Sequence, residues 1–151
     1  MTPEEVFRKL VSGVAAGQYA ELPDLYAEQT DVRHPMSPYG APPLLSREAL
    51  REHFTGTGPQ VAATVHFEAA DIVVHQTADP EVIVGEFAYA GVAPATGERF
   101  RVPCVFVLRV RDGEIVESRD YVDHVAMAKA RGRLEELIAA LREPVAADGA
   151  S

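Results

Sequence analysis

The hydrophobic period of this chain changes after Gly58-Pro59, and that change limits the folds open to it. Before it, apolar residues recur at helical spacing, with Val6, Leu10, Val11 and Val14 on one stripe and Leu50, His53, Phe54 and Thr57 on or near another. After it, Val61 to Gln76, Val82 to Ala93, Glu98 to Arg111 and Glu114 to Val122 alternate with a period of two, the signature of half-buried strands. Ala78-Asp79-Pro80, Pro94 to Gly97 and Asp112-Gly113 separate them, and connections that short join antiparallel neighbours. Helices first and a meander second is an α+β layout, a curved antiparallel sheet with three N-terminal helices and a C-terminal one packed on it.

The helical half has its own punctuation. Thr2-Pro3-Glu4-Glu5 is a helix start, with a capping hydroxyl, proline at the first position and acids facing the dipole, and Gly17 ends the segment. A second short helix is expected over about Ala20 to Ala27, with Leu22, Leu25 and Tyr26 inward. Thr30 to His34 reads as a short strand stopped by Pro35, and the proline-rich stretch Pro35 to Leu45 as a loop. Ser46 caps a third helix. Asp123 caps a last one, broken near Gly132 and ending about Leu141. The expected organisation is one domain over residues 1–143 and a frayed tail over 144–151.

Composition removes several function classes. A net charge of −9 does not suit a nucleic-acid surface. The only cysteine, Cys104, lies in an apolar run and reads as a buried, inert thiol. The start M-T-P-E-E has no leader-like character, and no apolar run has the roughly 18 residues of a membrane span, so a cytoplasmic, membrane-free protein is expected. No H-x-H or H-x-x-x-H spacing, phosphate-binding loop or dinucleotide fingerprint occurs, so neither metal nor cofactor is expected.

Chemistry concentrates in the last strand, G-E-I-V-E-S-R-D-Y-V-D-H from Gly113. Alternation places Val116, Ser118, Asp120 and Val122 on an inward face, and Glu117, Arg119 and Tyr121 outward. Asp120 is thus an acid among apolar or small residues, where desolvation raises a carboxyl toward neutrality and fits it for acid–base work. The competing reading is a carboxylate paired with a sheet arginine on an outer face. His34, pinned by Pro35, and His53, on the stripe of Leu50, are the imidazoles best placed to share that work. His66 and His75 read as structural, while His124 shares the parity of Asp120 but falls at the strand-to-helix junction, which leaves its direction open. Phe87, Tyr89, Val102, Cys104 and Phe106 share parities that line the concave face, and with Val122 and Leu50 they are the expected walls of an apolar pocket. Tyr39, in the proline-rich loop, is expected to cover its mouth.

Three stretches resemble one superfamily: Leu25-Tyr26-Ala27-Glu28, Ser46 to Phe54, and D-G-E-I-V-E-S-R-D-Y-V-D. In this order they resemble the nuclear-transport-factor-like proteins, in the SnoaL-like branch of polyketide cyclases and ketosteroid isomerases. The resemblance, over roughly Glu4 to Gly132, implies a cone-shaped fold, a pocket between helices and sheet, and a homodimer through the outer sheet face. Asp120 falls where limonene epoxide hydrolases keep an acid, but Phe87, Tyr89, Val32 and His34 replace the rest of that water-activating set. Ketosteroid isomerase donors fall at Leu10 and Phe106, and their base at His34. The pattern is more similar to the phenazine-biosynthesis A/B proteins, whose histidine and acid correspond to His53 and Asp120. The resemblance implies a cofactor-independent acid–base enzyme acting on an apolar carbonyl compound, with Asp120 and one of His34 or His53 separated by the substrate. The alternatives are a non-catalytic small-molecule binding or resistance protein and a scaffold acting through dimerisation.

Overall fold

The computed structural model describes residues 1–64 and 66–144, and for 57–64 and His66 the backbone alone. Helix α1 spans Pro3–Ala16; strand β1, Tyr26–Arg33; β2, Leu44–Ser46; α2, Arg47–Thr64; β3, His66–Gln76; β4, Val82–Val92; β5, Arg99–Arg111; β6, Glu114–Val122; α3, His124–Arg131; and α4, Leu134–Leu141. One six-stranded sheet runs in the order β2-β1-β6-β5-β4-β3. β3 to β6 form the antiparallel meander that the short turns dictate. No helix among the described residues is long and apolar enough to cross a membrane.

Local chemistry sets the helix ends. Thr2 and Glu5 satisfy each other's backbone amides in a capping box. Ser46 Oγ accepts from the Ala49 amide at 3.0 Å, and Asp123 accepts from the Ala126 amide at 2.9 Å. Gly132, at φ 68°, ends α3 in the left-handed conformation and separates it from α4.

Four expectations need correction. The second helix is a single 3-10 turn, Leu22–Leu25, and Tyr26 already belongs to β1. The backbone stays helical through Gly58-Pro59 to Thr64, so the third strand begins at His66 and not at Val61. Side chains at 57–64, Thr57 included, lie outside the described residues, as does the tail beyond Pro144. Within the proline-rich stretch, Leu44–Ser46 forms a short strand on β1. Last, β1 pairs parallel with β6, making the sheet mixed. Parallel pairing requires a long crossover, here supplied by everything between β1 and β6, so no local signal announces it.

The core lies between α1 and the sheet. Phe7 meets Phe87 and Phe106 edge-on, with centroids 5.7 and 6.3 Å apart. This approach needs a glycine across from it, because a Cβ built at Gly85 would sit 2.2 Å from the Phe7 ring. Gly56, in exposed α2, has open space where its Cβ would be. The two glycines should therefore respond with opposite sign. Gly85→Ala should lose roughly 1–3 kcal/mol through overpacking, and Gly56→Ala should gain up to about 1 kcal/mol of helix propensity. Urea melts of the two variants check this, and a destabilised Gly56→Ala or a neutral Gly85→Ala would contradict it.

Candidate functional site

The parallel pairing builds the site. Its register sets Val32 beside Ser118 and Arg33 beside Arg119, so His34, one residue further, comes to lie beside Asp120. Pro35 ends the strand there, and the turn closes with the Ser37 amide donating to the His34 carbonyl at 3.0 Å. His34 Nε2 is 3.6 Å from Asp120 Oδ2. His53 reaches in from α2, with its ring 6.1 Å from that of His34 and 5.4 Å from that of Phe54. All three ionisable groups line one cavity of about 150 Å³. Expecting substrate between Asp120 and its histidine therefore fails for His34, because strand pairing leaves no molecular space between them.

Inward alternation holds for Ser118 and Asp120, which are 0% and 7% exposed. It fails at Val116. The β5–β6 register shifts between Arg109 and Val110, so Ile115 takes the buried place and Val116 is left half-buried. Asp120 is thus walled by Val122 and its cavity neighbours. The Ser118 hydroxyl donates to its Oδ1.

Burial inverts the usual order of proton affinity. Desolvation pushes the Asp120 carboxyl up to about 7, against the smaller downward pull of the Ser118 hydrogen bond. Burial lowers His34, and lowers His53 with added repulsion from His34. The 3.6 Å contact is an ion pair only if the imidazole is charged, and desolvation opposes that state. Just below neutrality the favoured arrangement is a protonated carboxyl beside two neutral imidazoles.

The concave face is buried as its parity requires, yet only part of it reaches the cavity. Tyr89, Phe106, Val122 and Leu50 line it. Phe87 is taken up by its edge-on contacts with Phe7, Tyr89 and Phe106, and Val102 is fully buried. Cys104 opens instead onto a separate groove beneath α4, and burial pushes its thiol up to about 12, so it is inert as expected. Tyr39 is 54% exposed and stands edge-on to His124, outside the cavity lining. His75 is exposed and 2.5 Å from Glu86. The side chain of His66 is outside the described residues.

Tyr26 is the residue whose place in the cavity sequence reading missed. It reads as a helical core position, but the 3-10 turn ends before it and β1 delivers it to the cavity wall. Tyr26 and Tyr89 are 2% and 5% exposed, and both line the cavity. Burial, with the nearby Asp120, raises both phenols well above their ordinary value, so they remain donors. Simple alternation could not have found it, because the β1–β6 register shifts between Tyr26 and Asp31, and Glu28, of the same parity, is exposed.

Comparison with known proteins agrees with this architecture. A family model described as SnoaL-like domain matches residues 7–118. An uncharacterized PhzA/B-like protein of Pseudomonas aeruginosa is 38% identical over 72 residues, 48% of this chain and 50% of that protein. The chain thus matches half the length of that relative. Among solved structures, a candidate isomerase from Bacillus subtilis superimposes with a TM-score of 0.72 at 24% identity, covering 85% of this chain and 91% of that one. A Catenulispora acidiphila protein with a ketosteroid isomerase-like fold, in complex with trimethylamine, gives 0.64 at 19% identity, covering 87% and 95%. At these identities the likeness to solved structures is one of fold.

The displaced carboxyl leaves a mark on stability. Asp120 loses its proton near 3.8 when unfolded and near 7 when folded. Between those values the native state holds the extra proton, so this residue's contribution is greatest below the lower one and falls as pH rises through the higher. His34 and His53 act oppositely, losing stability as pH falls through their unfolded value, so the aspartate must be isolated by substitution. Relative to wild type, Asp120→Asn should gain stability between pH ~4 and ~8, by at most about 4 kcal/mol. Urea melts at both pH values check this; a difference independent of pH would mean the carboxyl is not displaced.

Proposed function

The chain belongs to the SnoaL-like domain family, and from that premise we propose that it is a cofactor-independent acid–base enzyme acting on a small apolar carbonyl compound. The observation that carries this reading is the buried Asp120 carboxyl beside the His34 imidazole in one apolar cavity. Neutral His34 takes a proton from the carbon next to a carbonyl. The C–H electron pair becomes the C=C bond of an enol, and Asp120 delivers its proton to the carbonyl oxygen. Tyr26 and Tyr89 offer hydroxyls to that oxygen as charge develops. His53, kept neutral by burial, holds off a second positive charge next to His34. With a β,γ-unsaturated ketone the enol is a dienol, and the imidazolium gives its proton to the γ-carbon while the Asp120 carboxylate takes back the enol O–H proton, which completes an isomerisation. Attack of the enol carbon on a second carbonyl, with the imidazolium protonating the new alkoxide and Asp120 recovering the enol proton, completes a condensation or ring closure.

The cavity's size narrows the substrate. About 150 Å³ is the scale of an apolar cavity that holds benzene, and lies below the usual few hundred Å³ of ligand pockets. A one-ring compound fits this reading better than a fused polycycle. Localisation in the cytoplasm and a homodimer through the outer sheet face belong to the same proposal, the latter supported by half-buried Val105 and Val107 on that face. A proton-bearing carboxyl beside a neutral imidazole supplies both an acid and a base, more than holding an apolar ligand requires.

The test is deuterium incorporation from D2O at the α-carbon of one-ring ketones such as 2-methylcyclohexanone, followed by proton NMR. Wild type should accelerate exchange, and Asp120→Asn and His34→Asn should each lose about 10²–10⁴-fold while keeping the native circular dichroism spectrum. Full activity in folded Asp120→Asn would refute the assignment. Binding without accelerated exchange in wild type would favour a binding protein.

A further inference from the structure

A third concavity lies between the β4–β5 turn and the C-terminal end of α3, a groove of about 940 Å³ that shares no lining residue with the acid–base cavity. Its charge opposes that of the molecule. In a chain of net charge −9, the groove is lined by Arg99, Arg101, Lys129 and Arg131 against the single acid Glu98. Arg101 is engaged by Asp71. Arg99, Lys129 and Arg131 make no ion pair among the described residues. Cations in the last turn of a helix complement its dipole, which accounts for the sign of Lys129 and Arg131. It does not account for the depth of Arg131, whose Nε is buried without a hydrogen-bond partner. Buried guanidinium nitrogens are ordinarily satisfied, since an unmet donor there costs more than the usual hydrogen bond contributes. Burial, and after it the neighbouring Arg133, disfavours the Arg131 charge. Apolar surface flanks the cation: half-buried Phe100, buried Ala130, and Leu134 at 37% exposure.

We propose that this groove is a binding site for an organic oxyanion, a carboxylate or phosphate carried on an apolar body, with the charged group on the Arg131 guanidinium and the body against Phe100, Ala130 and Leu134. A planar guanidinium matches both oxyanions with paired N–H donors, and Arg99 and Lys129 add attraction at the rim. The site stands apart from the acid–base reading and survives that reading's failure.

The test uses the full chain and three probes of one shape: 2-naphthoate, 2-naphthyl phosphate and neutral 2-naphthamide. Calorimetric titration at low salt should show one of the anions binding at least about tenfold more tightly than the amide, and the tighter anion identifies the source of the oxyanion. Arg131→Gln should reduce that preference to within about twofold, whereas Asp120→Asn should leave it unchanged. In the unsubstituted protein the Arg131 Nε–H NMR resonance should shift on saturation, which decides the matter even if Arg131→Gln folds poorly. Equal binding of anion and amide, a preference that survives in folded Arg131→Gln, or an Nε–H resonance unmoved at saturation would overturn the proposal.

Discussion

The parallel pairing of β1 with β6 is the interaction on which the site depends. It joins two strands separated by most of the chain, and its register at Val32–Ser118 and Arg33–Arg119 fixes which side chains become neighbours. A slip of one residue would turn Asp120 away from His34 and Tyr26 away from the cavity, because strand side chains alternate faces. The pairing is also reinforced: Thr30 Oγ1 donates to the Ile115 carbonyl at 3.0 Å, and Arg47 reaches both the Tyr26 carbonyl and Glu114. β2 then closes the outer edge of β1 and leads directly into α2, which carries His53. One strand pair thus organises the acid, both histidines and a tyrosine.

The same packing that makes the fold firm shifts the proton affinities of the groups in the cavity. α1 lies across the meander through Phe7, and the aromatic cluster beneath it gives the cavity apolar surroundings. A carboxyl buried there is poorly hydrated, so it keeps its proton to higher pH, while imidazoles in the same surroundings give theirs up. Groups that in water would form an ion pair become a neutral acid and a neutral base at contact distance. Elsewhere the protein handles charge in the opposite way. Arg109 and Arg111, on the wet side of the sheet, are matched by Asp79, Glu81 and Glu117. Exposed pairs of this kind add little stability, but they keep the charged outer side chains of the sheet satisfied.

Much of this was open to sequence reading because it is local. Alternation placed Asp120 inward, the Thr2, Ser46 and Asp123 caps marked helix starts, and Gly132 divided the last helix. Reading failed where a distant partner overrides local preference. Gly58-Pro59 looks like a stop, yet the helix continues through it. Val116 has the right parity but loses its place to Ile115 at a register shift. Phe87 and Val102 have the parity of cavity walls, but neighbouring side chains fill the space before them.

The sequence by itself determined the class of fold, the inward direction of the acid and the candidate imidazoles, because helix and strand periodicity are properties of consecutive residues. Only the tertiary structure decided that His34 abuts Asp120, that Tyr26 joins Tyr89 at the cavity, and that the cavity is of one-ring size. Those facts depend on which strand lies beside which and on how deeply each group is buried. Such relations join residues far apart in the chain, and no local pattern encodes them.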